Sequence, residues 1–236
     1  MTATTTEQRT TRRPTGWRSR SAFWFILLSA LAGAVLFPLP YLMSSLASQA
    51  HSDPAALAAV YVHRPVAVQV ALYLHIAFAG LALLLSPLQF VAGLRERVPQ
   101  LHRIAGRVAF GSIAIAGSAA LVIAPGTSAG PVGTAGFGLV ALLWLAFAAA
   151  ALRAIRRRDV AAHRRWATRT FALTYAAVTL RLWLGVLVTA QMELSGVAYQ
   201  VAWDRAYLVV PFLSWVPNLL LAECYLATRQ RTGRAS

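Results

Sequence analysis

The sequence predicts an all-α, polytopic membrane protein with six transmembrane helices, of which spans two to five form a four-helix bundle. Three observations predict it. The 236 residues are 58% apolar and only 12% charged, with a mean hydropathy of +0.59, outside the range of soluble domains. Six apolar runs, near 22–44, 66–92, 104–124, 135–155, 166–189 and 206–227, are long enough to cross a bilayer, which takes about 20 helical residues. Finally, all 22 basic residues are arginines. Nineteen of them flank what six crossings make a single side, at 1–21, 95–107, 153–169 and 229–236. By the positive-inside rule that side is the cytoplasm, so the expected location is the cell membrane, with both termini cytoplasmic. The net charge of +15 then reports topology and attraction to anionic lipid headgroups, with no nucleic-acid partner.

In chain order, residues 1–21 read as a disordered basic tail, 22–228 as the six-helix transmembrane domain and 229–236 as a second basic tail, because neither tail has the apolar residues to pack. The first span follows "RRPTGWRSR" in the manner of a secretory signal. "ASQA" offers cleavage after Ala50, but the length of the run and the prolines of "FPLPYL" fit a retained span. In the outer loop, "SDPAALAAVYV" suits a short surface helix with Ser52 as cap and Pro54 at its first position. The later outer connection "APGTSAGPVGT" is turn-rich and uncharged. Cys224 is the only cysteine, which excludes an internal disulfide and a cysteine-based metal site.

The inner connections carry a weak internal repeat. Spans two and three are joined by "GLRERVPQLHR", spans four and five by "RAIRRRDVAAHRR", and in each hairpin a His-Arg pair opens the returning helix. This sets His102 and His163 at one depth, with Arg107 and Arg169 about a turn further in. At helical spacing His102 shares a stripe with Gly106, Ala109, Ala116 and Ala120, all small, which admits a close neighbour or a flat cofactor. On span five, His163, Thr170, Thr174 and Arg181 align if the helix is unbroken. Span two carries His75, Ala79, Ala82, Ser86 and Gln89 on one face. In span six, "SWVPNLLLAE" places a helix-bending Pro217, then Asn218 and Glu223 at membrane depth, with Glu223 level with the inner arginines.

Three segments, "HIAFAGLALLLSPLQFVAGLRERVPQLHRIAGRV", "HRRWATRTFALTYAAVTLRLWL" and "SWVPNLLLAE", together resemble the bacterial predicted membrane proteins grouped as domain of unknown function 2306, over about residues 70–227. That resemblance implies architecture and no activity. A looser resemblance is to cytochrome b561-type and ferric-reductase-like six-helix membrane proteins, which hold a haem near the cytoplasmic face between the third and fifth spans. It implies a haem b with His102 and His163 as its metal ligands and Arg103, Arg107, Arg164 or Arg169 on its propionates, passing electrons to a quinone or another redox partner. Span four, "TAGFGLVALLWLAFAAAAL", has no histidine, so a second haem at His75 lacks its partner.

Each site residue also has a plainer reading. His102 and His163 then cap helices or meet lipid phosphate, His75 bonds a neighbouring helix, and Glu223 neutralises Arg107 or Arg169. Arg181 must find a partner or a wet cavity, since a buried arginine costs about 2.5–3.5 kcal/mol on insertion. No GxxxxGK[ST], HExxH or paired-carboxylate motif occurs, with seven acidic residues scattered along the chain, which weighs against hydrolysis. Two functions remain. One is the b-type haem electron-transfer subunit, and the other is a cofactor-free transporter or scaffold whose polar intramembrane pocket, formed by His75, Arg181, Asn218 and Glu223, takes a small ligand.

Overall fold

The computed structural model describes residues 17–52 and 57–234. Among them there is no strand, and six segments are long and apolar enough to span a membrane: Ser21–Met43, Val66–Phe90, Pro99–Gly126, Gly130–Arg156, Val160–Ser195 and Tyr199–Arg231. The six-span, all-α expectation is borne out. Spans three, five and six run longer than their apolar cores because polar residues continue the helices at their ends.

Span one is α1 (Trp17–Leu36) extended by α2 (Leu39–Met43) beyond Pro38. Helix α1 therefore starts inside the segment expected to be a tail, while residues 1–16 lie outside the described residues. The outer loop forms α3 (Leu46–Ser52) and α4 (Leu57–Tyr61). Ser52, the expected cap, instead ends α3, and residues 53–56, with the Pro54 expected to open the surface helix, lie outside the described residues. The Tyr61 hydroxyl donates to the Ile123 carbonyl at 2.9 Å and Arg64 Nη2 to that of Gly126 at 3.3 Å, tying the loop to the outer end of span three. Burial pushes the Tyr61 phenol up to about 12, with the field of Tyr207 adding and that of Arg64 opposing. It therefore stays a neutral donor across the physiological range.

Span two is α5 (Val66–Leu85), closed by a 3-10 turn at Pro87–Phe90. Helix α6 (Ala92–Arg97) leads into α7 (Pro99–Ile123), which forms span three with Pro99 in its first turn. Span four is α8 (Gly130–Arg156). A tight turn follows, in which Arg158 takes a left-handed φ of 62° and Asp159 caps the next helix by accepting from the Ala162 N–H at 2.8 Å.

Spans five and six are each two helices in tandem, a feature the sequence reading did not contain for span five. They are α9 (Val160–Thr174) with α10 (Ala176–Ser195), and α11 (Tyr199–Leu213) with α12 (Val216–Arg234). Helix α12 thus continues through most of the segment expected to be a C-terminal tail. The break in span six has a direct cause, because Pro217 has no N–H to return to the Leu213 carbonyl. At the break in span five, Tyr175 has φ −69° and ψ −12°. The hydroxyls of Thr170 and Thr174 bond back to carbonyls one turn earlier, a pattern that bends helices. The expected stripe from His163 to Arg181 is interrupted there.

Spans two and three pack along most of their length, span four packs on α9, the first half of span five, span three packs on span four, and α5 meets α9 to close the bundle, while α10 packs on α11. Helices α11 and α12 lie outside it against α8 and α9, and α1 lies against α5. The core threads all of these through Ala82, Ile113, Ala116, Trp144, Ala148, Leu173, Ala176 and Trp215. Small residues let the helices approach closely, as membrane packing requires. The closest approach is that of α8 to α11, where a Cβ on Gly136 would lie 2.6 Å from the Pro211 Cβ and 2.9 Å from its carbonyl carbon. Gly136→Ala is therefore expected to lower stability by about 1–3 kcal/mol in a detergent-unfolding titration. Gly138→Ala, two residues on with nothing within 4 Å, should leave it unchanged, and equal effects of the two would refute the close approach.

Candidate functional site

A cavity of about 240 Å³ lies between the spans in the half of the molecule away from the arginine-rich side. It extends from Thr127, in the connection after span three, down to Ser214 at the break in span six. Most of its wall is apolar, from Leu72, Ile76, Val140 and Leu180 among others. Two chain breaks border it, since Thr174, Ala176 and Ala177 flank the one in span five. Backbone that leaves the helix at membrane depth is tolerated where protein or an aqueous cavity satisfies it.

Two of the four pocket residues named from the sequence, His75 and Arg181, line this cavity. His75 Nδ1 lies 3.0 Å from the Ala116 carbonyl on span three. A carbonyl can only accept, so Nδ1 carries the proton, and the assigned tautomer leaves a lone pair on Nε2. In that tautomer Nε2 makes no hydrogen bond among the described residues, which leaves the ring one acceptor.

Arg181 is positioned by α10. Its Nη1 donates to the Ala177 carbonyl one turn back at 2.8 Å, and its guanidinium carbon sits 3.8 Å from the centroid of the Phe37 ring on span one. Arg181 is an exposed residue of the chain taken alone, and it is one of the residues that line the cavity. Tyr41 and Tyr207 lie within electrostatic reach of it. Both described ion pairs, Arg95–Glu96 and Arg169–Glu223, lie elsewhere. Among the described residues, then, no carboxylate compensates the one guanidinium of the cavity.

Asn218 and Glu223 do not line the cavity. Asn218 Nδ2 donates to the Thr179 hydroxyl at 2.9 Å and to the carbonyls of Ala172 and Ser214, each at 3.2 Å. Thr179 in turn donates to the Ser214 carbonyl at 2.5 Å. These bonds pin the two broken spans together just below the cavity floor. Glu223 forms a two-pronged ion pair with Arg169, Nε to Oε1 at 2.5 Å and Nη2 to Oε2 at 2.8 Å, and the guanidinium also covers the Trp166 ring.

At the arginine-rich end, His102 and His163 lie within electrostatic range of one another, with Arg95 and Arg103 near His102. His163 Nδ1 donates to the Ala151 carbonyl on span four at 2.9 Å, as His75 does to Ala116 in the other hairpin, and its ring packs edge-on to Phe110. His102 Nδ1 and Gln89 Nε2 are buried without partners. The small stripe on span three is filled by protein. A Cβ on Gly106 would meet Gln89 Oε1 at 3.2 Å, Ala116 receives His75, and Ala109 and Ala116 are buried against the neighbouring helices. Neighbouring helices thus occupy the part of the stripe nearest His102, whereas Ala120 at its outer end lines the cavity. Haem electron transfer and a quinone partner find no support in this packing. Among the described residues no group of three or more His, Cys, Asp or Glu is placed to hold a metal ion. Arg103 and Arg107 are exposed on α7.

Sequence reasoning missed Phe37, Tyr41, Tyr61 and Tyr207. The available signal was the tyrosines that lie near the outer ends of spans rather than in a belt facing lipid.

The family model described as Predicted membrane protein (DUF2306) matches residues 72–226 of the chain. No curated protein and no solved structure gives a match. The matched region covers spans two to six, including His75, Arg181 and Asn218, and the chain belongs to that family.

Proposed function

We propose that this DUF2306 membrane protein is a cofactor-free small-ligand binding protein of the transporter class, whose site is the cavity that contains His75 and Arg181. The observation that carries the reading is Arg181, a guanidinium whose one hydrogen bond among the described residues is to its own helix and which has no carboxylate partner among them, set in a mostly apolar cavity. An uncompensated charge at that depth is costly, and intramembrane ionisable residues mark ligand and ion pathways. The paired breaks in spans five and six support the same reading, since discontinuous helices meeting at a mid-membrane site are the recurring construction of secondary transporters. At about 240 Å³ the cavity lies below the roughly 300–1,000 Å³ of drug-sized sites, which suits a small ligand. The arginine bias supports a cell-membrane location with both ends of the chain in the cytoplasm and anionic headgroups around the inner rim. The cavity then lies in the outer half.

The reading requires that solutes reach the cavity. In a Cys224→Ser background, a cysteine in place of Ala120, which lines the cavity, should react with the small neutral reagent methyl methanethiosulfonate. A cysteine at Ala116, one turn away and 0% exposed, should react far more slowly. Equal, slow reaction at both positions would overturn the proposal.

A further inference from the structure

We infer that the ligand of this cavity is a small organic monoanion, a single carboxylate on a compact apolar body. The inference rests on the reading of the cavity as the ligand site and adds the chemistry of what enters it.

Charge sets the first limit. The cavity holds one cation, Arg181, and no acid among the described residues. His75 spends its proton on the Ala116 carbonyl and presents a lone pair. One negative charge on the ligand neutralises the site, whereas a second would face only the His75 acceptor. A cation would meet Arg181 with no compensating group. A neutral ligand would leave the guanidinium without a counter-charge at membrane depth.

Shape sets the second. A guanidinium matches a carboxylate through two parallel N–H···O bonds. Arg181 has committed Nη1 to the Ala177 carbonyl and makes no other hydrogen bond among the described residues, while Phe37 covers one face of the guanidinium. The remaining walls, Leu72, Ile76, Val140 and Leu180, suit an alkyl or aryl body. A fully hydrated ion such as chloride would leave this apolar surface unused.

The test uses the full-length Cys224→Ser, Ala120→Cys chain in phospholipid vesicles and follows its modification by methyl methanethiosulfonate in the presence of butyrate, benzoate, or the corresponding amides. The carboxylates should slow modification by about tenfold at saturation. The amides and chloride should not, and Arg181→Gln should abolish the protection. Arg181→Lys, which keeps the charge and loses the fork, should retain part of it and so guards against a folding defect in the glutamine variant. Equal protection by amide and acid, protection that survives Arg181→Gln, or no protection by either carboxylate would overturn the inference. Failure of the modification itself would instead overturn the cavity reading beneath it.

Discussion

Arg181→Gln is expected to make the ligand-free protein more stable. A guanidinium at this depth costs about 2.5–3.5 kcal/mol on insertion scales. Against this stand the face of Phe37, worth about 0.5–2 kcal/mol as a cation–π pair, and a bond to the Ala177 carbonyl of the same helix, which a helix does not need. With the smaller cost of the glutamine amide also set against it, the balance predicts a gain of no more than about 1 kcal/mol on substitution, read as a higher melting temperature in one fixed detergent. The sign is what matters. A residue kept as interhelical glue lowers stability when removed, and a residue kept for a ligand at the expense of the empty fold raises it. A clear loss of stability in Arg181→Gln would make this arginine part of the scaffold and remove the support for a ligand site. Benzoate should raise the melting temperature of the parent and leave that of the variant where it is.

The fold was legible because its largest free-energy term, the transfer of apolar helices into lipid, is written as uninterrupted apolar length. Six runs gave six spans, and Pro217 marked the break in span six in advance. The break at Tyr175 was not visible. Its cause is threonine hydroxyls bonding back to the preceding turn, and threonine occurs equally in straight helices.

The same limit separates the two halves of the pocket expected from sequence. His75 and Arg181 reach the cavity, but Asn218 is turned by the break towards Ala172 and Thr179, and Glu223 is taken by Arg169. Depth along a span can be read from residue counts, but azimuth cannot once a helix is interrupted. The small stripe below His102 illustrates a second ambiguity. Gly106, Ala109 and Ala116 admit either a flat cofactor or another helix, and the sequence pattern is identical for both. Here span two occupies the stripe, with Gln89 against Gly106 and His75 on the Ala116 carbonyl.

Asn218→Leu is expected to produce the largest loss of stability of any substitution outside the closely packed glycines. The amide bridges the two broken spans through the Thr179 hydroxyl and the Ala172 carbonyl, and it also reaches the Ser214 carbonyl, to which Thr179 donates as well. Interhelical hydrogen bonds in membranes contribute about 0.6 kcal/mol on average and up to about 1.7 kcal/mol. Two such bonds predict a loss of about 1–3 kcal/mol in a detergent-unfolding titration. The decisive measurement is a double-mutant cycle with Thr179→Val, which removes the hydroxyl that both accepts from Asn218 and donates to Ser214. If the three groups act as one junction, the double variant should lose at least about 0.5 kcal/mol less than the two singles together. Strict additivity would mean that the breaks hold without each other. In that case Asn218→Leu should also leave thiol access at Ala120 untouched, whereas a shared junction predicts that loosening the floor at Ser214 changes it, because Ser214 borders the same cavity.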